Sequence, residues 1–465
     1  MTHVLRCMNC QQDYTSDTLK THCKQCGSLL EYVLTSTNPR FSGPMTFWRY
    51  RHVLPKVQEI VSLGEGGTPL HKAHRLAESL NFENLYLKDE TRSPTSSFKD
   101  RSASLLISDA KSRGYDSVVC ATNGNHGASI SAYSARVDLR CNLVVPSVVD
   151  MGKLAQMMIY DAKIVQEGNT IEEAIARAIE LEKEMRWYQA TTELNPLSIE
   201  ALKTISYEIV EQQGVPDWII LAMGSDATLH ALWKGFTEME KLGIIHKKPA
   251  LMGVQARGYA PISSAFTTGD SQPQRLVKGN TEASAIRVKD PIYGKPALDA
   301  LRDSGGFAVD VWDEDMIKAG RLMAGTEGIF AEPASAAPIA SLQLKQVQKR
   351  LDPDAHIICL VTSSGLKSDD ILSNLTKRKK APRLGSRFTT KEKILRVIEG
   401  ESSYGYAIWK SMGADISIGA VYQHINDLEV RGLIVSVREG KRKKVSITER
   451  GRRVLQAMED LQVLL

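Results

Sequence analysis

The stretch SPTSSFKDRS, residues 93–102, sets one lysine, Lys99, behind a proline turn and a run of small hydroxyl residues, directly ahead of a helix-like segment. A solvated lysine has no need of such a setting, and Phe98 beside it points to a side chain aimed inward. Three glycine-permitted loops have complementary content. TNGNHG, 122–127, offers hydroxyl, amide and backbone N–H groups to one point ahead of a helix, a seat for a carboxylate or another anion. GSDAT, 224–228, also leads into a helix, whose first N–H groups and positive dipole end suit a phosphate. TSSGLK, 362–367, is rich in hydroxyls. A separate constellation lies near the start: Cys7 and Cys10 in CMNC, twelve intervening residues, then Cys23 and Cys26 in CKQC with Gly27 after them. Two thiolates from each of two tight turns make a tetrahedral zinc set, closed and structural, with no catalytic role.

These residues need elements to position them. Between about 64 and 375 short apolar runs (SVVCAT, NLVVP, KIVQ, WIILAMG, ALMGVQA, FAVDV, HIICLVT) alternate with helical patterns. Ile171, Ala174, Ile175, Ala178 and Leu181 fall at helical spacing, and 225–240 is a second helix candidate. The alternation predicts an α/β fold with parallel sheet and helices on both faces, and ligands then sit beyond the carboxyl ends of the strands, where the three loops lie. One lysine, one carboxylate seat and one phosphate seat in such a domain meet the needs of a pyridoxal phosphate enzyme. Each loop alone is weak support, because glycine turns before helices are common and most are structural.

The 465 residues carry a net charge of +5, unevenly divided. From Thr376 onward 19 Lys and Arg face 10 Asp and Glu, a charge of +9, which leaves −4 for residues 1–375. Any preference for an acidic partner therefore belongs to the tail. No run of 18 apolar residues occurs, and the first residues lack the apolar core of a signal peptide, so the expected compartment is the cytoplasm. Cys120, Cys141 and Cys359 lie singly in strand-like runs and read as buried thiols.

LKDETRSPTSSFKDRS (87–102) resembles the K-x-E-x-x-x-P-T-G-S-F-K-D-R-G signature of threonine synthases, within the second fold type of pyridoxal phosphate enzymes. GEGGTPL (64–70), TNGNHGASISAYSA (122–135), GKLAQ (152–156), VQARGYAPI (254–262), TEGIFAEPASAA (326–337) and TSSGLK follow in that family's order, and the cysteine ribbon also precedes some of its members. The resemblance covers about residues 60–370. It implies two parallel-sheet α/β subdomains, with Lys99 as the Schiff-base lysine that later moves protons at the substrate. By the same resemblance Asn125 bonds the cofactor's phenolic oxygen, and Thr122, Asn123 and His126 line the carboxylate loop. Gly224, Ser225, Asp226, Ala227 and Thr228 cradle the phosphate, and Thr362 faces the pyridine nitrogen. Asp100 and Arg101 read as structural, Asp100 through the dipole of the following helix.

The departures bear on substrate. The family's N-P-x-R-x-E-G-Q-K reads NPLSIEALK here (195–203), so Ser198 replaces an arginine that grips the phosphate of O-phosphohomoserine. Two further phosphate contacts align with Glu193 and Ser225, and a carboxylate there repels a dianion. Losing a bidentate charged donor costs roughly 2–5 kcal/mol. GNH at His126 is more usual in serine and threonine dehydratases. Glu193 facing away, a stand-in base such as Arg92 or Lys203, or a His126 that is merely a packed side chain are the alternatives. The leading expectation is a threonine synthase-like lyase taking O-phosphohomoserine to threonine and phosphate. A serine/threonine dehydratase that releases ammonia is the rival, and an amino-acid-sensing regulator the third reading.

That third reading comes from residues 389–465. TKEKILRVI, YGYAIWKSM and SIGAVYQHINDLEVRG read as helices, followed by a basic hairpin and a last helix. On the third helix Ile418, Val421, Ile425 and Leu428 form the inward stripe, with Ser417, Ala420, Gln423 and Asn426 outward. Arg438, Lys441, Arg442, Lys443 and Lys444 surround Gly440 in the hairpin. This is a winged helix-turn-helix and is similar to PadR-like transcription regulators in GYAIW, GAVYQHINDLEVRGLI and ITERG. Its third helix would enter the major groove of DNA while the wing neutralises phosphates. Winged helices also serve as protein-contact modules. A homodimer is expected, with Val454, Leu455, Met458, Leu461 and Leu465 of the last helix as the contact. The expected organisation is a zinc ribbon over 1–35, a catalytic domain over 36–375, a basic linker over 376–388 and the winged helix over 389–465.

Overall fold

The structure is a computed structural model that describes residues 3–15, 22–35, 39–147, 149–368, 390–400, 403–412, 417–439 and 442–463. The expected linker lies outside these residues. The chain forms two compact units, Met1–Lys377 and Arg378–Leu465.

The first unit holds two sheets with helices on their faces. The larger has six strands in the order Phe307–Val311, Ala250–Ala256, Trp218–Ala222, His356–Val361, Asn84–Asp89 and Leu70–Lys72. All its pairings are parallel except the last, where Leu70 opposes Lys88 in an antiparallel edge. The smaller is wholly parallel, with the four strands Lys163–Gln166, Arg140–Val145, Ser117–Ala121 and Tyr188–Gln189 in that order. Every strand expected from an apolar run is present. In the inner strands the continuous apolar character follows from burial on both faces, as in Val118, Val119 and Cys120, each 0 % exposed, whereas edge strand Lys163–Gln166 is mostly exposed. The expected helices also form. Ile171–Met185 opens on a capping box between Thr170 and Glu173 and buries Ile171, Ala174 and Ala178.

Two helices are buried on nearly all sides. Lys99–Ser112 packs against Asn125–Arg136 and against Leu197–Gln213. A helix so placed cannot leave charges unpaired. Arg101, fully buried, pairs with Glu90 at 2.7 Å and Glu208 at 3.0 Å, while Lys88 reaches Glu208 at 2.5 Å. Strand Asn84–Asp89 and both helices are thereby tied at one point. The GEGGTPL loop closes on the same network, with Gly67 and Thr68 N–H donating to Glu208 at 2.9 and 2.8 Å. A Cβ at Gly67 would lie 1.8 Å from the Met45 carbonyl oxygen, so only glycine passes there.

The cysteine segment is a three-stranded antiparallel sheet with His3–Cys7 between Asp13–Tyr14 and Leu30–Leu34. It is not a free-standing ribbon. Leu5, Cys7, Leu30 and Tyr32 share a hydrophobic core with Leu105, Leu106 and Val118 of the catalytic body. So small a lobe buries too little apolar surface alone. Glu31 reaches Lys234 at 3.4 Å, and Lys234 reaches Glu200 at 2.8 Å.

The second unit runs helix Thr390–Gly400, strand Ser403–Tyr404, helix Gly405–Ser411, helix Ile418–Val430, hairpin Ile434–Glu439 with Arg442–Ile447, and helix Glu449–Val463. Val421, Ile425 and Leu428 fill its core, but Ile418 is 39 % exposed. Ile418 follows the cap residue Ser417, and the first turn rides above the core. Leu455 is fully buried within this unit, so the side chain expected at a dimer contact is spent on its own core. Side chains beyond Gln456, including Met458, Leu461 and Leu465, lie outside the described residues. Among the described residues no helix is long and apolar enough to cross a membrane.

Candidate active site

The cleft lies beyond the carboxyl ends of both sheets. Three strands of two sheets feed it: Ser117–Ala121 leads to 122–127, Trp218–Ala222 to 224–228, and His356–Val361 to 362–367. Its lining includes Lys99, Thr122, Asn123, Asn125, His126, Glu193, Gly224, Ser225, Asp226, Ala227, Thr228 and Thr362. Of the candidate residues of this unit outside the cysteine set, Ser198 alone is not among the lining. It is fully buried on helix Leu197–Gln213, and its hydroxyl has no hydrogen-bond partner.

Lys99 opens its helix because the turn before it is locked. Thr95 donates from N–H and Oγ1 to Asp100 at 2.7 and 2.6 Å, so Asp100 closes the turn rather than merely facing a dipole. Burial raises the Asp100 carboxyl to about 6, with Thr95 opposing. Ser96, where the family writes glycine, has φ 61° and its carbonyl accepts from Ser364 N at 3.0 Å. The site strand bridge Ser97–Ser363 fixes the same segment against the third loop. Burial lowers the Lys99 pKa, against the pull of Glu193 and Asp226.

The loop 122–127 is wound around its own hydroxyl: Gly124 and Gly127 N–H both donate to Thr122 Oγ1 at 3.0 Å. Gly124 has φ 146°, and a Cβ there would stand 2.3 Å from Lys153 Cδ. Asn123 donates to the Ser284 carbonyl at 3.1 Å, and Asn125 to Glu332 at 2.9 Å. Glu332 also pairs with Lys153 at 3.0 Å. His126 Nε2 lies 2.8 Å from the Ala190 carbonyl, which makes Nε2 the protonated nitrogen and leaves buried Nδ1 without a protein partner. Burial, then Lys99, pushes this imidazole down to about 3, so it is neutral. Thr362 Oγ1 lies 2.7 Å from Ser335 Oγ.

Helix Ala227–Lys241 begins at the cleft with no side-chain cap. Glu193 stands on the wall between Thr192 and Ser225, its carboxyl raised by burial and lowered by Lys99. The two stand-in bases are elsewhere. Lys203 is buried between Glu200 at 2.5 Å and Glu238 at 2.8 Å, and Arg92 is mostly exposed beside Asp89. Glu332, Lys153 and Ser335 were not singled out from sequence. Their signal was present, since the first and last sit in EPASAA and Lys153 in GKLAQ.

Does the cleft fit a pyridoxal phosphate group? A lysine nitrogen, an uncapped helix start, and the unpartnered buried atoms Thr192 Oγ1 and His126 Nδ1 surround one space. These are donors and acceptors awaiting a polar ligand. The pattern of the pyridoxal-phosphate dependent enzyme family matches residues 61–363. The chain belongs to that family. This pyridoxal-phosphate-dependent enzyme is 39 % identical over 378 residues to the threonine synthase of Methanocaldococcus jannaschii, covering 78 % of this chain and 93 % of that protein. It is 34 % identical to the threonine synthase of Methanosarcina acetivorans, over 78 % and 92 % of the two chains. A fungal L-serine ammonia-lyase structure from Rhizomucor miehei superposes with TM-score 0.58 at 20 % identity, covering 69 % of this chain and 99 % of that one, a likeness of fold. The transcriptional regulator PadR-like family matches residues 394–457 of the enzyme, which therefore carries a PadR-like winged helix.

The four cysteines near the N-terminus place their sulfurs within 4.8 Å of one another. Cys7 and Cys26 are 3.4 Å apart, Cys10 and Cys23 3.6 Å. Sulfurs about 2.3 Å from one ion in a tetrahedron are separated by about 3.8 Å, so the set fits zinc.

On the winged helix Gln423 and Asn426 are exposed on helix Ile418–Val430. Ser417 is spent as its cap, accepting from Ala420 N at 3.3 Å, and Ala420 itself is half-buried. Arg438 is exposed, and Lys443 pairs with Glu429 at 2.6 Å. Lys441 and the side chain of Arg442 lie outside the described residues.

Proposed function

We propose that the cleft carries out a lyase reaction on a small amino acid, with a threonine synthase-type conversion of O-phosphohomoserine as the leading reaction. The observation that carries it is the meeting of Lys99 with the 122–127 loop and the start of helix Ala227–Lys241 in one cleft. When bound, pyridoxal phosphate makes the α-carbon of an attached amino acid acidic. Lys99 then moves the α-proton, its amine kept reactive by burial. The backbone N–H groups of Asn123, Asn125 and His126, which the Thr122 hydroxyl does not engage, orient the substrate carboxylate, and the first N–H groups of helix Ala227–Lys241 hold the cofactor phosphate. Asn125, which Glu332 anchors, would meet the cofactor's phenolic oxygen, and Thr362, beside Ser335, its ring nitrogen.

A second reading, deamination of serine or threonine, is favoured by Glu193 on the wall of the cleft. Phosphate release from O-phosphohomoserine against oxo-acid formation from threonine separates the two, and neither activity from a cofactor-loaded enzyme would sink both. Glu193→Gln is expected to raise kcat/KM for the phosphate ester at least about tenfold, or ~1.4 kcal/mol. An unchanged ratio of phosphate-ester to threonine turnover would show that Glu193 is not the discriminator.

The reading extends to the other parts of the chain. Cys7, Cys10, Cys23 and Cys26 hold one structural zinc, checked by metal analysis of the purified chain. The winged helix binds DNA through Gln423, Asn426 and the basic wing, as a homodimer in the cytoplasm. Light scattering of the purified chain tests the dimer, and fractionation of cells tests the compartment. Ligand in the cleft that alters DNA retention would make the enzyme an amino-acid sensor as well, and identical retention with every candidate amino acid would count against that role.

A further inference from the structure

The helix start that faces Lys99 carries an acid where an anion is to sit. Asp226 is the cap residue of the 15-residue helix Ala227–Lys241, in the left-handed conformation with φ 65° and ψ 25°. Its side chain makes no cap hydrogen bond, is 4 % exposed, and leaves Oδ2 without a partner. The residue lines the cleft together with Ser225, Thr228 and Lys99. An ionised carboxylate at this point would oppose the attraction of the helix start for a phosphate dianion.

The charges around it leave that conflict in place. Lys99, from the helix across the cleft, is the cation whose field reaches Asp226. Glu193 faces the cleft from the turn before helix Leu197–Gln213, and His126 from helix Asn125–Arg136 is neutral. Tyr293, whose N–H donates to the Ser225 carbonyl at 3.1 Å, brings a neutral phenol. His230, one turn along the same helix, is directed to Glu31 at 3.5 Å. Burial holds the Asp226 carboxyl well above the usual carboxylate range.

We propose that Asp226 meets the cofactor phosphate as a neutral carboxylic acid whose O–H donates to a phosphate oxygen, so that the seat takes up the phosphate and a proton together. The proton remains on Asp226. Where the unliganded carboxyl is ionised, it comes from solvent, and binding consumes up to one proton. The inference rests on the reading that this helix start receives the phosphate of pyridoxal phosphate.

The test uses the full-length apoprotein and pyridoxine 5′-phosphate, which carries the phosphate but no aldehyde to react with Lys99. Its Kd is measured between about pH 6 and 10 for the native chain and for Asp226→Asn, which keeps the side-chain shape, tolerates the left-handed backbone and donates N–H without taking up a proton. The ratio of the native Kd to the variant Kd should climb about tenfold per pH unit once the unliganded carboxyl ionises. Titration calorimetry in buffers of different ionisation enthalpy should show extra proton uptake by the native chain alone. With pyridoxine lacking the phosphate, the ratio should stay flat. Asp226→Gly gives the same expectation should the Asn variant fold poorly. Tight binding with a constant ratio and equal proton counts would overturn the inference and leave the phosphate seat standing. Failure of the native chain to bind either pyridoxine 5′-phosphate or pyridoxal phosphate at any pH would overturn both.

Discussion

His126 shows how one contact settles a residue's chemistry. Its Nε2 is committed to the Ala190 carbonyl, and burial beside Lys99 holds the ring at about 3. A histidine whose folded value lies below its unfolded 6.5 adds stability above pH 6.5 that is lost as pH falls toward 3. The expected outcome is a neutral Nε2–H tautomer from about pH 5 to 8, read from ring nitrogen shifts. A titration inside that window would show the ring to be solvated instead. In the same cleft Lys99→Ala should lower turnover by about 10²–10⁴-fold or more, since it removes the proposed proton carrier. Steady-state assays with cofactor in excess check this.

At the scale of elements, the cleft is only as exact as the helices that meet behind it. Arg101 joins helix Lys99–Ser112 to helix Leu197–Gln213 through Glu208 and to Glu90 at the end of strand Asn84–Asp89. Removing one member of a buried set leaves uncompensated charge and costs about 3–5 kcal/mol. Arg101→Ala is therefore expected to destabilise the first unit by that amount in urea unfolding, and Arg101→Lys to recover part of it. A loss below about 1 kcal/mol would place the network among dispensable surface pairs. The FKDR segment reads as one signature in the sequence, yet its parts act separately. Lys99 faces the cleft, Asp100 locks the turn in front of it, and Arg101 binds the scaffold behind it.

Across the whole molecule, the charge division visible in composition has a physical destination. Six of the nine net positive charges of the tail lie on residues 376–388, outside the described residues, and the winged unit carries the other three, with Arg438 exposed on its hairpin, while the acidic remainder carries buried carboxylates in its cleft and scaffold. DNA binding by this unit should fall steeply with salt. Arg438→Ala should shrink the slope of log affinity against log salt by about 0.9, one phosphate contact. Gln423→Ala should cost ~1–3 kcal/mol at cognate sites and little at random DNA. Equal losses on both would assign that residue to the backbone. Lys443→Ala is expected to change that slope by less than Arg438→Ala, because Glu429 already pairs with Lys443.

Much of this protein was legible one residue after another. Lys99, the three loops, the paired cysteines and the parallel strands were all readable, because each depends on local spacing: glycine where a turn must close, apolar runs where both faces are covered. Glu193, Ser198 and Asp226 were also readable as candidates, but where each one faces was not. Ser198 stood in the motif expected to grip a phosphate, but helix Leu197–Gln213 turns it into the core. Glu193 and Asp226, 33 positions apart, come to one wall only because two strand ends converge there. Glu332 and Lys153 acquire meaning only as the pair behind Asn125 and Gly124. Local chemistry specifies which groups a turn presents. Which groups face one another, and whether burial leaves them charged, is decided by packing between segments that the sequence holds far apart.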